Sequence, residues 1–253
     1  MGVLRVTDGR THQLIELPVL RRGVLRMRVH LSCPGSAIGA VDLRALLVGD
    51  VLFRAAETAG VQARLTLVVP DLPPEQVKAL DRAMAALGIN PPVAAGMAAA
   101  DVHVSDSGGP DSDYGVWIEV GHVQQLLTVI PGLHGGAGAD PLALRLALLS
   151  HPHHEPITLA PGMLADAEQT LANWRGRVAD WARSPSRPIP DDIRCQAHSA
   201  LADDIGIPGV LTVLRRVAAE QEIPDGAKFE VFAYLDRVLG LEIVRDVGRD
   251  HQS

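Results

Sequence analysis

The sequence predicts an α/β protein: a truncated Rossmann-like domain over residues 1–140, followed by an all-α helical bundle over residues 141–253. In the first part, short apolar runs alternate with segments of helical periodicity, the order typical of parallel βαβ units. From residue 141 onward, apolar positions recur at helical spacing with little strand signal. Hydrophobic residues make up 47% of the 253 residues, which provides ample material for a core and excludes a disordered chain.

The elements of the first part are bounded by turn residues. Asp8-Gly9 and Arg22-Gly23 separate the first strands, Gly60 ends the first helix, and Pro70 ends a buried strand. Strands are predicted at residues 4–6, 14–17, 25–31, 65–69, 102–104 and 116–120, and helices at residues 41–59 and 75–87. The order strand, helix, strand indicates a parallel sheet.

The second part contains five helical patterns, three of which begin with a proline, as is typical of a first helical turn. They cover residues 141–150, 161–182, 192–204, 208–221 and 227–239. Residues 183–190, rich in proline and serine, predict a loop or hinge between two of them.

Charge and cysteine content limit the compartment and the partners. The chain has 30 acidic and 23 basic residues, a net charge of −7, which argues against a DNA-binding protein and weakens any case for tRNA. Cys33 and Cys195 lie far apart and form no disulfide framework, which favours a reducing, cytoplasmic location. No apolar run reaches 18 residues, and the first 30 residues lack the continuous apolar region of a signal peptide, so we expect no membrane association.

Several motifs, in collinear order, resemble those of one enzyme family. Residues 140–150 (DPLALRLALLS) resemble the helix that opens the C-terminal domain of class I aminoacyl-tRNA synthetases. Residues 202–211 (ADDIGIPGVL) and 235–241 (LDRVLGL) are similar to later segments of cysteinyl-tRNA synthetases and of their relative, the cysteine ligase of mycothiol synthesis. In the first part, Trp117-Ile-Glu119 and His134-Gly-Gly136 also have counterparts. The resemblance implies a truncated, degenerate paralogue of that family.

The chain departs from this family at its ATP signatures. Where the first signature reads His-Ile-Gly-His, residues 39–42 read Gly-Ala-Val-Asp. The second signature supplies lysines to the same phosphates, yet Lys78 and Lys228 are the only lysines and neither is where that loop should be. Since both signatures stabilise charge on the transferred phosphoryl group, their loss predicts that the chain does not form aminoacyl-tRNA.

The family's zinc site is depleted as well. Its first cysteine corresponds to His30 or, with a shift, to Cys33, and its second corresponds to Val120. A closed zinc site needs four ligands, so we expect no metal there, with His30 and Cys33 as weak candidates. We likewise expect no cofactor; ATP or zinc would bind only if the degenerate site still holds them. His153-His-Glu155 is either a polar loop or a metal motif, and the loop is favoured.

The resemblance also implies where a site would lie. The catalytic candidates are Asp42, Cys33 and His134; the expected nucleotide or substrate pocket comprises Gly35, Gly39, Asp42, Trp117, Glu119, His134, Gly135 and Gly136; and the candidates for tRNA contact are Arg175, Arg177, Arg215 and Arg216. Solvated helix faces are the favoured explanation of these four arginines, because this half of the chain is acidic. Cys33, beside Pro34-Gly35, is the better candidate for a reactive thiol.

Two functions remain open at this point, beside a third possibility that the chain is one subunit of an assembly whose site another chain completes. The first is a non-catalytic, synthetase-like protein that binds a partner: a protein, a second copy of itself, a tRNA or a small metabolite. The second is a repurposed ligase or transferase that acts on a cysteinyl or aminoacyl group.

Overall fold

The structure, a computed structural model, describes residues 4–17, 23–93, 99–107, 114–125 and 140–249. The strands are β1 (Arg5–Asp8), β2 (Gln13–Glu16), β3 (Leu25–His30), β4 (Ala63–Val68), β5 (Val102–Ser105), β6 (Val116–Glu119), β7 (Val123–Gln125) and β8 (Ile157–Leu159). The helices are α1 (Ala40–Thr58), α2 (Pro74–Ala86), α3 (Pro141–Leu149), α4 (Pro161–Trp181), α5 (Asp191–Ala202), α6 (Ile207–Ala219) and α7 (Asp225–Leu239).

A four-stranded parallel sheet confirms the predicted α/β class. Its order is β4-β3-β5-β6, so the chain leaves β3 toward one edge and then returns past β3 to the other. The antiparallel hairpin of β1 and β2 lies beside β6, where the Gly9 amide donates to the Trp117 carbonyl over 2.7 Å. In open parallel sheets a reversal of strand order opens a crevice at the carboxyl ends of the strands, here those of β3 and β5.

The two faces of the sheet differ in chemistry. Met27 and Val29 of β3 are buried on the same face as Val104 of β5 and Ile118 of β6. Helix α1 covers this apolar face so closely that a Cβ on Gly49 would lie 2.5 Å from Val29 Cγ2. Side chains alternate along a strand, so the opposite face carries the polar residues of the same strands.

The helical part packs directly against the sheet-bearing part. Helices α3 and α7 contact α1, and the three share one continuous hydrophobic core with the sheet. Trp174 and Trp181 of α4 meet the ring of Phe232 of α7 edge-on, with centroids 5.7 and 5.3 Å apart. The division at residue 140 into two domains stays a prediction.

One element of the helical part was missed. Ile157–Leu159 forms β8, a parallel partner of β7, although only helices were expected after residue 141. Three residues are too few to show a strand periodicity, and the pairing partner lies 34 positions earlier in the chain. Within the described residues, no helix is long and apolar enough to cross a membrane.

Candidate functional site

The polar face of the sheet brings together the side chains that are best placed for ligand binding. The strand register sets Arg28, His103 and Trp117 in one row across β3, β5 and β6, with His30 at the end of β3 beside them. We call Arg28, His30, His103 and Trp117 the histidine face. It lies at the reversal of strand order, where open α/β sheets bind their ligands.

Three rings of the histidine face form a stack. The His103 and Trp117 rings are nearly parallel, at 6° with centroids 4.3 Å apart, and the His30 ring lies 4.9 Å from Trp117. Trp117 is only 5% exposed and His103 is also buried. Because each ring is held between neighbours on adjacent strands, the stack is a rigid platform.

The hydrogen bonds of the two histidines fix their tautomers. His103 Nε2 lies 3.1 Å from the Tyr114 carbonyl oxygen, and a carbonyl can only accept, so Nε2 of His103 carries the proton. Nδ1 of a neutral His103 is then an acceptor, and His30 Nε2, 2.9 Å away, donates to it.

Trp117 also carries a polar atom that suits a ligand. Within the part of the chain that the structure describes, its buried indole Nε1 has no hydrogen-bond acceptor. A buried N–H without an acceptor costs about 1–3 kcal/mol, so an acceptor atom from a ligand would be stabilised there.

The carboxylate of Asp42, a predicted catalytic residue, accepts hydrogen bonds from backbone amides. Its Oδ1 accepts hydrogen bonds from the Ser32 and Cys33 amides over 2.9 and 3.0 Å, and its Oδ2 accepts from the Gly39 amide over 2.8 Å. Asp42 stands at the third position of α1, where an acidic side chain commonly caps the helix by accepting the N-cap amide. The carboxylate therefore holds the 32–39 loop at the start of α1, which accounts for its burial without a catalytic role.

The environment of Cys33 disfavours the predicted reactive thiol. The side chain is buried, and this burial, together with the charges of Asp42 and Asp106, raises its pKa to about 11. A thiol with such a pKa is protonated near neutral pH, and the thiolate is the nucleophile.

The structure places the other residues of the predicted pocket in different surroundings. Gly35 is exposed in the turn before α1, Gly39 caps α1, and Glu119 ends β6 with an exposed side chain. His134, Gly135 and Gly136 lie outside the described residues. The pocket as a whole stays a prediction, with Trp117 as its one member on the histidine face.

The predicted tRNA-facing arginines need a correction. Arg175 is only 3% exposed: its guanidinium pairs with Asp140 and donates to the carbonyls of Leu241 and Glu242. Arg177 is half-buried, donates to the Ala218 carbonyl and lies 4.9 Å from the centre of the Trp181 ring. Arg175 cannot reach a phosphate, and of the four only Arg215 and Arg216 are exposed.

The potential metal ligands that lie close together do not include the weak candidates His30 and Cys33. Among the described residues, the one group of three or more potential ligands consists of His153, His154 and Asp204. Burial lowers the pKa of His153 to about 4, so its ring is neutral near neutral pH. His30 is instead hydrogen-bonded to His103.

His103 and Arg28 were not singled out from the sequence. A signal was present: strand alternation places Arg28 and His30 on the same face of β3, opposite Met27 and Val29. The pairing of β3 with β5 could not be derived from it, because the two strands are about 70 residues apart and the register is set by packing.

The comparison with known proteins gives one consistent result. No protein-family model matches the chain. It is 35% identical over 116 residues to the L-cysteine:1D-myo-inositol 2-amino-2-deoxy-alpha-D-glucopyranoside ligase of Geodermatophilus obscurus, covering 43% of this chain and 26% of the relative. Ligases of the same description from Catenulispora acidiphila and Frankia casuarinae are 37% identical over 90 residues and 40% identical over 78 residues. These two matches cover 36% and 31% of this chain and 20% and 16% of the relatives.

The predicted resemblance is thus confirmed for the cysteine ligases. The chain spans about a quarter of the length of the curated relatives it matches, or less. The chain is synthetase-like in sequence and is similar, over less than half of its length, to the L-cysteine:1D-myo-inositol 2-amino-2-deoxy-alpha-D-glucopyranoside ligases.

Proposed function

We propose that this chain is a non-aminoacylating, synthetase-like protein that binds a small polar metabolite on its histidine face. The observation that carries the proposal is the buried Trp117 Nε1, without an acceptor among the described residues, on a rigid platform where the strand order reverses. An amino-acid or amino-sugar ligand would supply the missing acceptor to the indole.

The loss of adenylation chemistry is supported by the surroundings of Asp42. Both carboxylate oxygens of Asp42 accept backbone amides, and neither histidine of the ATP signature is present in the sequence there. Lys228 is buried in α7, 5.5 Å from the Trp181 ring, and Lys78 is exposed on α2. These residues offer little stabilisation to a transferring phosphoryl group.

The relatives' name suggests the first ligands to try. L-cysteine and 1D-myo-inositol 2-amino-2-deoxy-alpha-D-glucopyranoside should each be titrated by calorimetry against the wild type and Trp117→Phe. Phenylalanine keeps a stacking ring and removes the N–H, so the loss of one hydrogen bond should weaken binding roughly 3- to 10-fold. Equal affinity in both proteins would remove Trp117 from the site.

A separate assay tests the non-catalytic part of the proposal. Cysteine-dependent exchange between ATP and pyrophosphate should stay at the level of a protein-free blank. Robust exchange would overturn it and favour the alternative, a repurposed ligase or transferase acting on a cysteinyl or aminoacyl group. The observation that favours this alternative is the His30–His103 hydrogen bond beside Trp117, since histidine is the most common general acid or base in enzymes.

The last part of the prediction concerns the binding of macromolecules. Titration with tRNA at physiological salt should give no saturable complex, because Arg175 is buried and the chain is acidic. If neither small ligand binds, the partner to test next is another protein or a second copy of the chain. A cytoplasmic location is part of the proposal and is supported by two free cysteines, of which Cys195 is exposed.

A further inference from the structure

A second group of side chains converges where the turn after α3 meets the loop between α5 and α6. His153 Nε2 lies 3.8 Å from Asp204 Oδ1, and His154 Nδ1 lies 3.6 Å from Asp204 Oδ2. One ligand atom of each residue lies within 4.8 Å of the other two. Both distances exceed those of an N–H···O hydrogen bond, so the three groups approach one another without bonding directly.

We propose that His153, His154 and Asp204 bind a divalent transition-metal ion of the zinc type. Bonds of about 2.0–2.1 Å to a tetrahedral ion place neighbouring ligand atoms roughly 3.3 Å apart. The two distances from the histidines to Asp204 exceed this value by a few tenths of an ångström, and the ligand atoms of the two histidines lie within 4.8 Å of each other. His154, whose side chain is 55% exposed, can supply that movement by rotation. Two imidazoles and one carboxylate favour zinc, cobalt, nickel or copper over magnesium and calcium, which prefer oxygen ligands.

The backbone around these ligands is firmly held. The Thr7 amide of β1 donates to Asp204 Oδ1 over 2.7 Å, which orients the carboxylate. Arg44 donates to the carbonyls of Pro152 and Glu155 over 2.7 and 2.6 Å and so holds the turn that carries both histidines. Such outer contacts orient the ligands of metal sites and reduce the reorganisation that binding requires.

The loop that presents Asp204 adopts a costly conformation. Asp204 and Ile205 have φ angles of 55° and 52°, and this left-handed region is unusual for a β-branched residue such as Ile205. Strain of this kind is often retained where a loop presents a functional group. We take it as secondary support, because the convergence of the ligand atoms carries the proposal.

The three ligands leave room for a further group on the ion. His154 and Asp204 border an open groove of about 490 Å³, whose other walls come from Pro152, the end of α5, the loop that follows it and the start of α6. Three protein ligands with an open position are typical of metal sites that bind water or a substrate. The site shares no residue with the histidine face and does not depend on the function proposed for it.

The test is metal titration of the tag-free protein after treatment with a chelator. Calorimetry with Zn²⁺ should give one ion per chain, and Co²⁺ bound at the same site should give a visible absorption band. His154→Ala and Asp204→Asn should each weaken Zn²⁺ binding by at least about tenfold. Asparagine tolerates the left-handed conformation and keeps an oxygen for the Thr7 amide, so this variant alters the ligand with little change to the loop.

The matched control is His122→Ala, which removes an exposed histidine outside the group and should bind Zn²⁺ as the wild type does. Zn²⁺ should also raise the melting temperature of the wild type and not that of His154→Ala, because an ion bound only to the folded state stabilises it. The proposal is overturned if the wild type binds no stoichiometric ion, or if His154→Ala and His122→Ala bind equally well. Should Asp204→Asn fail to fold, His154→Ala decides alone, since its side chain is largely in solvent.

Discussion

Asp50 of α1 and Arg145 of α3 form an ion pair of 2.6 Å in which both side chains are 0% exposed. Arg145 also donates to the carbonyls of Leu87 and Leu239, over 2.9 and 2.6 Å. Asp50 in turn accepts from Arg54 and from Asn90. Both members of this ion pair thus have additional hydrogen-bond partners, as a buried charge requires.

Breaking this pair should be strongly destabilising. Asp50→Asn removes the negative charge and leaves Arg145 buried without compensation, which should lower the free energy of unfolding by about 3–5 kcal/mol. Urea denaturation followed by circular dichroism measures it. The control is Asp191→Asn, which breaks the exposed pair with Arg194 and should leave the unfolding midpoint unchanged. Similar midpoints for the two variants would contradict the role assigned to Asp50.

Acid should weaken the fold partly through Asp140. Burial opposes ionisation of this carboxyl, but the hydrogen bond and charge of Arg175 outweigh it and hold its pKa below the usual value. A depressed folded-state pKa stabilises the protein above the unfolded-state pKa of about 3.9, and this contribution is lost as the pH falls through the folded-state value.

Comparing the wild type with Asp140→Asn isolates the contribution of the Asp140 charge to stability, since asparagine can still cap α3. The unfolding free energies of the wild type and the variant should differ most above about pH 5 and converge toward about pH 2. A difference that stays constant over this range would mean that Asp140 titrates alike in both states.

Two glycines in helices should respond oppositely to the same substitution. Gly49→Ala brings a methyl group against the stiff Val29 side chain and should destabilise the protein by about 1–3 kcal/mol. Gly176→Ala, in α4, meets nothing within 4 Å and should stabilise it by up to about 1 kcal/mol through helix propensity. Thermal unfolding of both variants tests the contact between α1 and β3; the same sign for both would refute it.

The two cysteines should differ in reactivity. In the folded protein a thiol reagent at about pH 8 should modify Cys195, which is exposed, and spare Cys33, whose pKa burial raises to about 11. Cys195→Ser should abolish the fast reaction and Cys33→Ser should preserve it. Rapid modification of both sites in the wild type would show that the loop before α1 opens readily.

Much of the architecture could be predicted from local patterns, and the errors have physical causes. The strand β3 and the helix α1 were found because their apolar residues recur at the periods of their structures. Arg175 was expected to be exposed, as a tRNA contact implied by the resemblance or as part of a solvated helix face. Its spacing from Leu171 and Val178, both buried on the same helix face, was a sign that it points inward.

The candidate site was predicted less well, because it depends on pairings distant in the sequence. Trp117 and His30 were named from the resemblance, whereas their stacking with His103 follows from the order of strands in the sheet. Asp204 belongs with His153 only because a loop after α5 meets the turn after α3, about 50 residues earlier in the chain. Local periodicity carries no information on such contacts.

The junction held by Arg145 also bears on how far the sequence can diverge. Two of its three acceptors are main-chain carbonyls, those of Leu87 and Leu239, and any residue at those two positions presents the same oxygen. Only the carboxylate of Asp50 depends on side-chain identity. The hydrogen bonds of Arg145 therefore place no demand on the side chains at positions 87 and 239, and it is the core that constrains them, because both leucines are 0% exposed. Of the polar contacts that join the two parts here, only the one to position 50 requires a particular side chain.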